Sequence, residues 1–344
     1  MNHSALLTPF KHGTIHLKNR VVMPPMCMYK AKEDGCITPF HLAHYGARAI
    51  GGVGLIIVEA TAVEPKGRIS DHDLGLWSDE QIKGHQTLVE NCHEFGAKMA
   101  IQLAHAGRKS VCQNSLPASS SPLLFSETGG YKTPVELCNM EIEEVIIAFI
   151  NAAKRAQKAG YDILELHAAH GYLLNEFLSP LTNLRKDRYG GTLEKRCLLV
   201  IKICKAILDA VGLPLIVRIS ADEWVQGGWG IEETLYLSQE LSNIGVSMIH
   251  VSSGGNHAVQ PLLPPLKPFY QAHFAKIIKE KVTIPTIAVG LITTQKEGES
   301  LLADGFCDAV AYGRELLRNP NFVQSIIQAT GEKEALEPAY ARAF

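Results

Sequence analysis

Tyr161-Asp162-Ile163-Leu164-Glu165-Leu166-His167-Ala168-Ala169-His170-Gly171-Tyr172 is the stretch on which the reading of this chain turns. Its first part is an apolar run that reads as a buried strand. Two imidazoles and a phenol follow where the strand passes into its loop. Comparable short Val/Ile/Leu runs recur along almost the whole chain. They are Arg20–Met23, Gly54–Val58, Lys98–Leu103, Ile163–Leu166, Leu215–Ile219, Met248–Val251, Thr286–Val289 and Ala309–Tyr312. These runs are continuous rather than alternating, which marks strands covered on both faces, as in parallel sheets.

Helical segments lie between them. Ser78 and Gln81 form a capping box, Ile82, Leu88, Cys92 and Phe95 share a face, and Gly96 closes that helix. Further helices are expected over 141–155, 192–211, 232–244, 271–281, 296–304 and 321–330. Alternating strands and helices without a linker predict an α/β fold, a (β/α)8 TIM barrel forming one domain over residues 1–344. A doubly wound sheet is the alternative, but the sequence has no Gly-x-Gly-x-x-Gly turn to open it. Two regions exceed a minimal barrel. The Ser-, Pro- and Gly-rich stretch Gly107–Asn139 after strand three reads as a lid or surface excursion, and a C-terminal tail follows Gly331.

Composition narrows the function. With 46% hydrophobic residues the chain can bury a large core. A net charge of −2 without a basic tract argues against nucleic acid or an anionic membrane as partner. The longest apolar run, Val53 to Val58, is too short to span a bilayer, and Met1-Asn2-His3-Ser4 lacks the pattern of a signal peptide. Eight scattered cysteines include no Cys-x-x-Cys, so a reduced, cytoplasmic protein is expected.

In such a barrel the chemistry sits at the C-terminal strand ends. Cys27, Glu59, Gln102, His105, His167, His170, Arg218, Ser252 and Arg314 fall there and are expected to converge. Histidine N–H groups suit an oxygen that gains negative charge, and Tyr172 can supply a proton. His-x-x-His is also metal-ligand spacing, although no third ligand stands nearby, and two structural histidines remain a further reading. Pro24-Pro25-Met26-Cys27-Met28-Tyr29 offers a stiff, polarizable surface suited to a flat ring or to ordinary packing. The Gln102 amide can pair with a heterocycle edge or cap a loop. Arg218, inside an apolar run, needs an electron-rich ring edge or a carboxylate such as Glu165 or Asp222. Gly290 and Gly313 end the last two strands, where backbone N–H groups can approach a phosphate and Arg314 can clamp it.

Longer motifs carry a resemblance. They are Pro25-Met26-Cys27-Met28-Tyr29, Leu103-Ala104-His105-Ala106-Gly107-Arg108-Lys109, the His167-to-Tyr172 segment, Glu176-Phe177-Leu178-Ser179-Pro180-Leu181, Tyr189-Gly190-Gly191, Gly313-Arg314-Glu315-Leu316-Leu317-Arg318 and Tyr340-Ala341-Arg342. Through them the whole chain resembles the old yellow enzyme family of FMN-dependent ene reductases, and most closely its bacterial NADPH dehydrogenase, thermophilic-like branch. The resemblance implies a tightly but non-covalently bound FMN across the barrel mouth and NADPH as reductant. Pro24, Pro25, Met26, Cys27 and Ala60 would line the ring, Gln102 would bond its pyrimidine edge, and Arg218 would face the N1–C2 carbonyl side. Ser252, Gly290, Gly313 and Arg314 would hold the ribityl phosphate. His167 and His170 would bond the carbonyl oxygen of an activated alkene, with Tyr29 beside it and Tyr172 delivering the proton. Lys109 and Arg342 would frame the pocket, Arg342 reaching into a neighbouring site of a homodimer or homotetramer. Pro24 departs from the family pattern, in which Ser or Thr is common near flavin N5. A metal-dependent barrel hydrolase or lyase using His167 and His170 without flavin, and a non-catalytic flavin or ligand sensor with Cys27 as its redox handle, are the competing classes. An iron–sulfur relative would need a longer chain and a cysteine cluster.

Overall fold

Eight parallel strands close on themselves in chain order, in a computed structural model that describes residues 4–332 and 336–343. The strands are β1 Val21–Met23, β2 Leu55–Ala62, β3 Lys98–Ala104, β4 Ile163–Ala168, β5 Leu215–Ser220, β6 Met248–Ser252, β7 Thr286–Val289 and β8 Ala309–Ala311. The helices that follow them are α1 Pro39–Ile50, α2 Ile82–His93, α3 Asn139–Lys158, α4 Leu193–Ala210, α5 Ile231–Asn243, α6 Ala272–Val282, α7 Gln295–Ala303 and α8 Phe322–Thr330. The doubly wound alternative is excluded, because β8 pairs with β1 through Val310–Val21 and Ala311–Val22 and leaves no edge. Among the described residues no helix is long and apolar enough to cross a membrane.

The continuous apolar runs resolve into two buried faces. Val21, Met23, Ile56, Val58, Leu164, Leu166 and Val217 belong to the large core beneath the helices. Val22, Leu55, Ile57, Ala100, Ile163, Ile216 and Met248 fill the lumen, which the N-terminal hairpin closes with Phe10, Ile15 and Leu17. The same alternation carries on toward the C-terminal ends, where it places Gln102, Glu165, His167, Arg218, His250 and Ser252, all buried. The lumen therefore changes from apolar at its floor to polar at its mouth.

Three features differ from the sequence expectation. His167 is the fifth residue of β4, not part of the loop, so its position is fixed by the register His167–Arg218 with β5. Strand β2 runs on to Ala62 through a register shift between Val58 and Thr61. Helix α1 was not expected at all, because its buried side consists of His41, His44, Tyr45, Gly46, Arg48 and Ala49 rather than an apolar stripe. Its polar face has work to do: Arg48 donates from Nε to Leu316 O at 2.9 Å and from Nη2 to Leu317 O at 3.1 Å, which fixes the segment after β8.

The Gly107–Asn139 excursion is anchored at its base by the buried Glu176. That carboxylate accepts from Arg108 N at 2.8 Å and from the Ser119 hydroxyl. Arg185 adds a bond from Nη1 to Leu137 O at 2.7 Å. The tail forms a 3-10 turn over Pro338–Ala343, with Leu336 buried and Tyr340 43% exposed. Phe344 lies outside the described residues.

Candidate active site

A cavity of about 310 Å3 opens at the C-terminal ends of β5 to β8, lined by Arg218, Ser252, Gly290, Gly313 and Arg314. These five sequence-predicted residues from four different strand ends thus meet in one place. Gly290 has φ +138°, and a Cβ there would come 2.8 Å from Gln271 Cγ, so a larger residue would both strain the backbone and close the wall. Arg314 makes no hydrogen bond or ion pair among the described residues. Arg318, one helical turn on, also lines the cavity but is paired with Glu315 at 2.6 Å.

Arg218 is the unusual group. Its guanidinium is buried, its Nε has no partner, and its one hydrogen bond, from Nη1 to Pro25 O, is long at 3.5 Å. Neither Glu165 nor Asp222, the carboxylates that a structural reading would pair with it, forms an ion pair with it. Desolvation lowers its pKa, and the charge of Glu165 opposes that most strongly. A buried cation without an adjacent anion is costly unless something negative or electron-rich completes the site.

The loop after β1 forms the adjoining wall. A Cβ on Gly313 would sit 3.6 Å from Met26 Sδ and 3.7 Å from Pro24 Cγ, which places Pro24 and Met26 against the end of β8. Cys27 lies beside the backbone of Ala60, and burial, with Asp73 and Glu59 next, keeps its thiol protonated far above the usual range. That argues for packing against a ligand rather than nucleophilic chemistry. Tyr29 follows in the left-handed region at φ +54° and is 45% exposed.

His167, His170 and Tyr172 come together on the other side. The His167 ring meets His170 edge-on at 5.3 Å and Tyr172 at 5.0 Å between centroids. His167 Nδ1 is buried and unpartnered, whereas His170 Nε2 lies 2.8 Å from Ser252 Oγ. The two imidazoles are therefore not aimed at one point: His170 must turn from Ser252 to share an acceptor with His167. Burial, then the charge of Arg218, drives both imidazole pKa values well down, so each ring is neutral with one N–H to donate. Burial likewise holds the Tyr172 phenol protonated far above its normal range. Lys109 Nζ donates to His170 O at 3.0 Å and Gly255 O at 3.1 Å, and lies 5.2 Å from the Tyr172 ring centroid and 4.4 Å from that of Phe125. Its pKa is lowered to about 8 by burial and then by Arg108. Phe125 brings the excursion over this side. Among the described residues no group of three or more His, Cys, Asp or Glu is placed to hold a metal ion.

Three expected residues, Glu59, His105 and Arg342, do not reach the mouth. Glu59 turns behind the β1 loop, accepting from Met28 N at 2.7 Å and Tyr45 Oη at 3.1 Å, and burial pushes its pKa up to about 7. His105 pairs with Glu64 at 2.8 Å and accepts from Gly107 N, supporting the start of the excursion. Arg342 is exposed and outside the cavity of its own chain. Gln102 donates from Nε2 to Glu165 Oε1 at 2.8 Å, and His250 Nδ1 meets Glu165 Oε2 at 2.7 Å. That Gln102–Glu165–His250 cluster and the cavity roles of Tyr270, Gln271 and Arg318 were not expected from the sequence. A histidine within the run Met248-Ile249-His250-Val251 was the available signal for the first.

Residues 5–332 match the model of the NADH:flavin oxidoreductase / NADH oxidase family. The chain is 44% identical over 342 residues to the NADPH dehydrogenase of Listeria innocua, covering 99% of both chains. It is 46% identical over 336 residues to that of Clostridium acetobutylicum, covering 95% of this chain and 96% of the relative. Among solved structures, morphinone reductase in complex with tetrahydroNAD superposes with a TM-score of 0.81 at 29% identity, covering 95% of this chain and 91% of the other.

Because both imidazoles are buried and held neutral, histidine NMR should show His167 and His170 untitrated through the ordinary imidazole range near about 6.5. An inflection of either ring there would contradict the neutral-donor assignment.

Proposed function

The chain belongs to the NADH:flavin oxidoreductase / NADH oxidase family, and from that premise we propose that it is an ene reductase acting on alkenes conjugated to a carbonyl or nitro group. It is a flavin-dependent oxidoreductase of the NADPH dehydrogenase type, with FMN as cofactor and a reduced nicotinamide as reductant. The observation that carries the proposal is the buried Arg218, which closes no ion pair, in a cavity that Arg314 also lines. One cation suits an electron-rich ring edge and the second a phosphate, so the residues present fit FMN. When bound, FMN would supply two-electron hydride chemistry, the kind a ping-pong route from NADPH to the alkene β-carbon requires.

The chain's own residues provide the rest. Pro24, Pro25, Met26, Cys27 and Ala60 would form the flat wall for the ring, Gln102 would bond the pyrimidine edge, and Arg218 would supply positive charge where the reduced ring is anionic. Arg314, Ser252 and the backbone at Gly290 and Gly313 hold the phosphate. The Ser252 hydroxyl can accept from His170 and still donate its own proton. His167 donates a neutral N–H to the substrate oxygen, His170 joins it after turning from Ser252, and Tyr29 closes that side. The phenol of Tyr172 gives its proton to the α-carbon. Lys109 fixes the His170 and Gly255 carbonyls and so sets the spacing of the two loops that carry the pocket.

The purified protein should be yellow, release FMN on denaturation, bleach with NADPH under anaerobic conditions and recolour with a cyclic enone. His167→Ala should weaken phenolate binding about 10- to 100-fold, the worth of one hydrogen bond to a charged group at about 1.5–3 kcal/mol. Its rate of bleaching by NADPH should change much less. Loss of FMN in step with loss of phenolate binding would instead make His167 a support of the cofactor or the fold.

The tail supports a shared site. Tyr340 and Arg342 are exposed on the isolated chain, and an exposed aromatic beside a guanidinium suits burial on a second copy. We place Arg342 in the neighbour's pocket within an oligomer built from isologous dimers, facing a substrate oxygen or the NADPH phosphate. The enzyme is placed in the cytoplasm, a reading supported by eight free cysteines, five of them buried. Deleting residues 339–344 should weaken the dimer in sedimentation, and Arg342→Ala should raise KM with the dimer intact. A strict monomer with full activity would rule this out.

A further inference from the structure

Glu165 is completely buried, projects from the middle of β4 into the lumen, and lies below the cavity residues. Its two carboxylate oxygens are both taken: Oε1 by the Gln102 amide nitrogen at 2.8 Å and Oε2 by His250 Nδ1 at 2.7 Å. Both partners are also buried, and neither brings a permanent charge. Arg218, next to His250 in the β5–β6 register, is the nearby fixed cation, yet it does not close an ion pair with Glu165. A carboxylate has been kept in the lumen of a barrel whose lower layers are apolar, held by two neutral donors. Such a group is expensive to bury, and neither hydrogen bond requires a carboxylate specifically.

A carboxylate differs from an amide in that it only accepts. With Glu165 as acceptor, the Gln102 side chain must turn its NH2 group down toward β4. Its carbonyl and second N–H are then the groups left for a ligand. An amide at position 165 would impose no such choice, since it could donate to Gln102 as readily as accept from it. The flavin pyrimidine edge carries an N–H donor flanked by carbonyl acceptors, so an orientation-locked Gln102 matches it in one sense only. The second consequence is electrostatic. Among the charged groups around Arg218, Glu165 acts on it most strongly, so it partly cancels the cation that faces the ring.

We propose that Glu165 is a positioning residue for the cofactor: it locks the Gln102 amide toward the pyrimidine edge and, by offsetting Arg218, keeps the flavin harder to reduce than Arg218 alone would make it. This rests on the FMN reading above. Glu165 touches neither cofactor nor substrate, and it acts through the residues that do.

The test is FMN titration of apoprotein by flavin fluorescence, together with redox titration of the holoenzyme, for wild type, Glu165→Gln, Gln102→Ala and the double variant. Glu165→Gln should weaken FMN several-fold and shift the oxidised-to-reduced ratio toward reduced by on the order of tenfold, about 30 mV more positive for a two-electron couple. In the Gln102→Ala background, Glu165→Gln should cost no further FMN affinity while still raising the potential. An unchanged potential, or FMN losses that simply add, would overturn the inference. If Gln102→Ala alone left FMN binding intact, the failure would lie with the placement of the pyrimidine edge. Should Glu165→Gln not fold, Glu165→Asp keeps the charge but shortens the reach. It should weaken FMN with the potential held near that of wild type, and unchanged FMN affinity would refute the lock.

Discussion

Closing eight parallel strands into a barrel puts every second residue of each strand into a narrow lumen, and that alternation governs everything else in this molecule. At the bottom it demands apolar side chains, which Val22, Leu55, Ile163 and Ile216 supply. At the top it gathers side chains from strands far apart in sequence. Gln102, Glu165, His167, Arg218, His250 and Ser252 are neighbours because they sit in the upper layers of β3 to β6. A polar layer inside a barrel is stable only if its groups are satisfied, and here they are satisfied unequally. Glu165 has both oxygens bonded, whereas Arg218 Nε and His167 Nδ1 have none of their capacity met. His250 Nε2 is also unmet, and the groups without partners define what the site can take.

The surrounding loops keep those groups in register. Gly171 at φ +73° lets the β4 loop pass the β6 loop closely enough that a Cβ would come 2.5 Å from Gly255 O, and Lys109 ties both loops from a third direction. On the opposite rim, Arg48 of α1 holds the carbonyls of the segment that begins with Arg314. The Glu176 carboxylate, with its pKa pushed up to about 7 by burial, fastens the excursion that brings Phe125 over Lys109. Each of these is a polar anchor placed outside the lumen to hold a residue at its edge.

Most of the barrel was legible because its signal is strong and local: buried parallel strands are continuous apolar runs, and helix ends carry caps such as Ser78 with Gln81, which forms as expected. Helix α1 was not legible from periodicity, because the side it buries is made of His41, His44, Tyr45 and Arg48. Thr38 followed by Pro39 at the first helical position was the better clue. Residues of the candidate site that sit at strand ends, such as Arg218, Ser252, Gly290 and Gly313, could be read from their position in the repeat. Tyr270 and Gln271 could not, since only the path of the long β6 loop brings them to the cavity. Nor could the bond between His170 and Ser252, which depends on how two loops meet rather than on either one. Glu59 and His105 show the converse: strand-end polar residues spent on holding loops.

The chemistry of the site depends on what completes Arg218. A redox titration of the FMN holoenzyme, comparing wild type with Arg218→Met, tests this most directly. Removing a buried cation beside the ring should make the midpoint potential more negative, because the charge added on reduction loses its counter-charge. An unchanged or more positive potential would show that Arg218 does not face the reducible ring, and the assignment of the site would have to be abandoned.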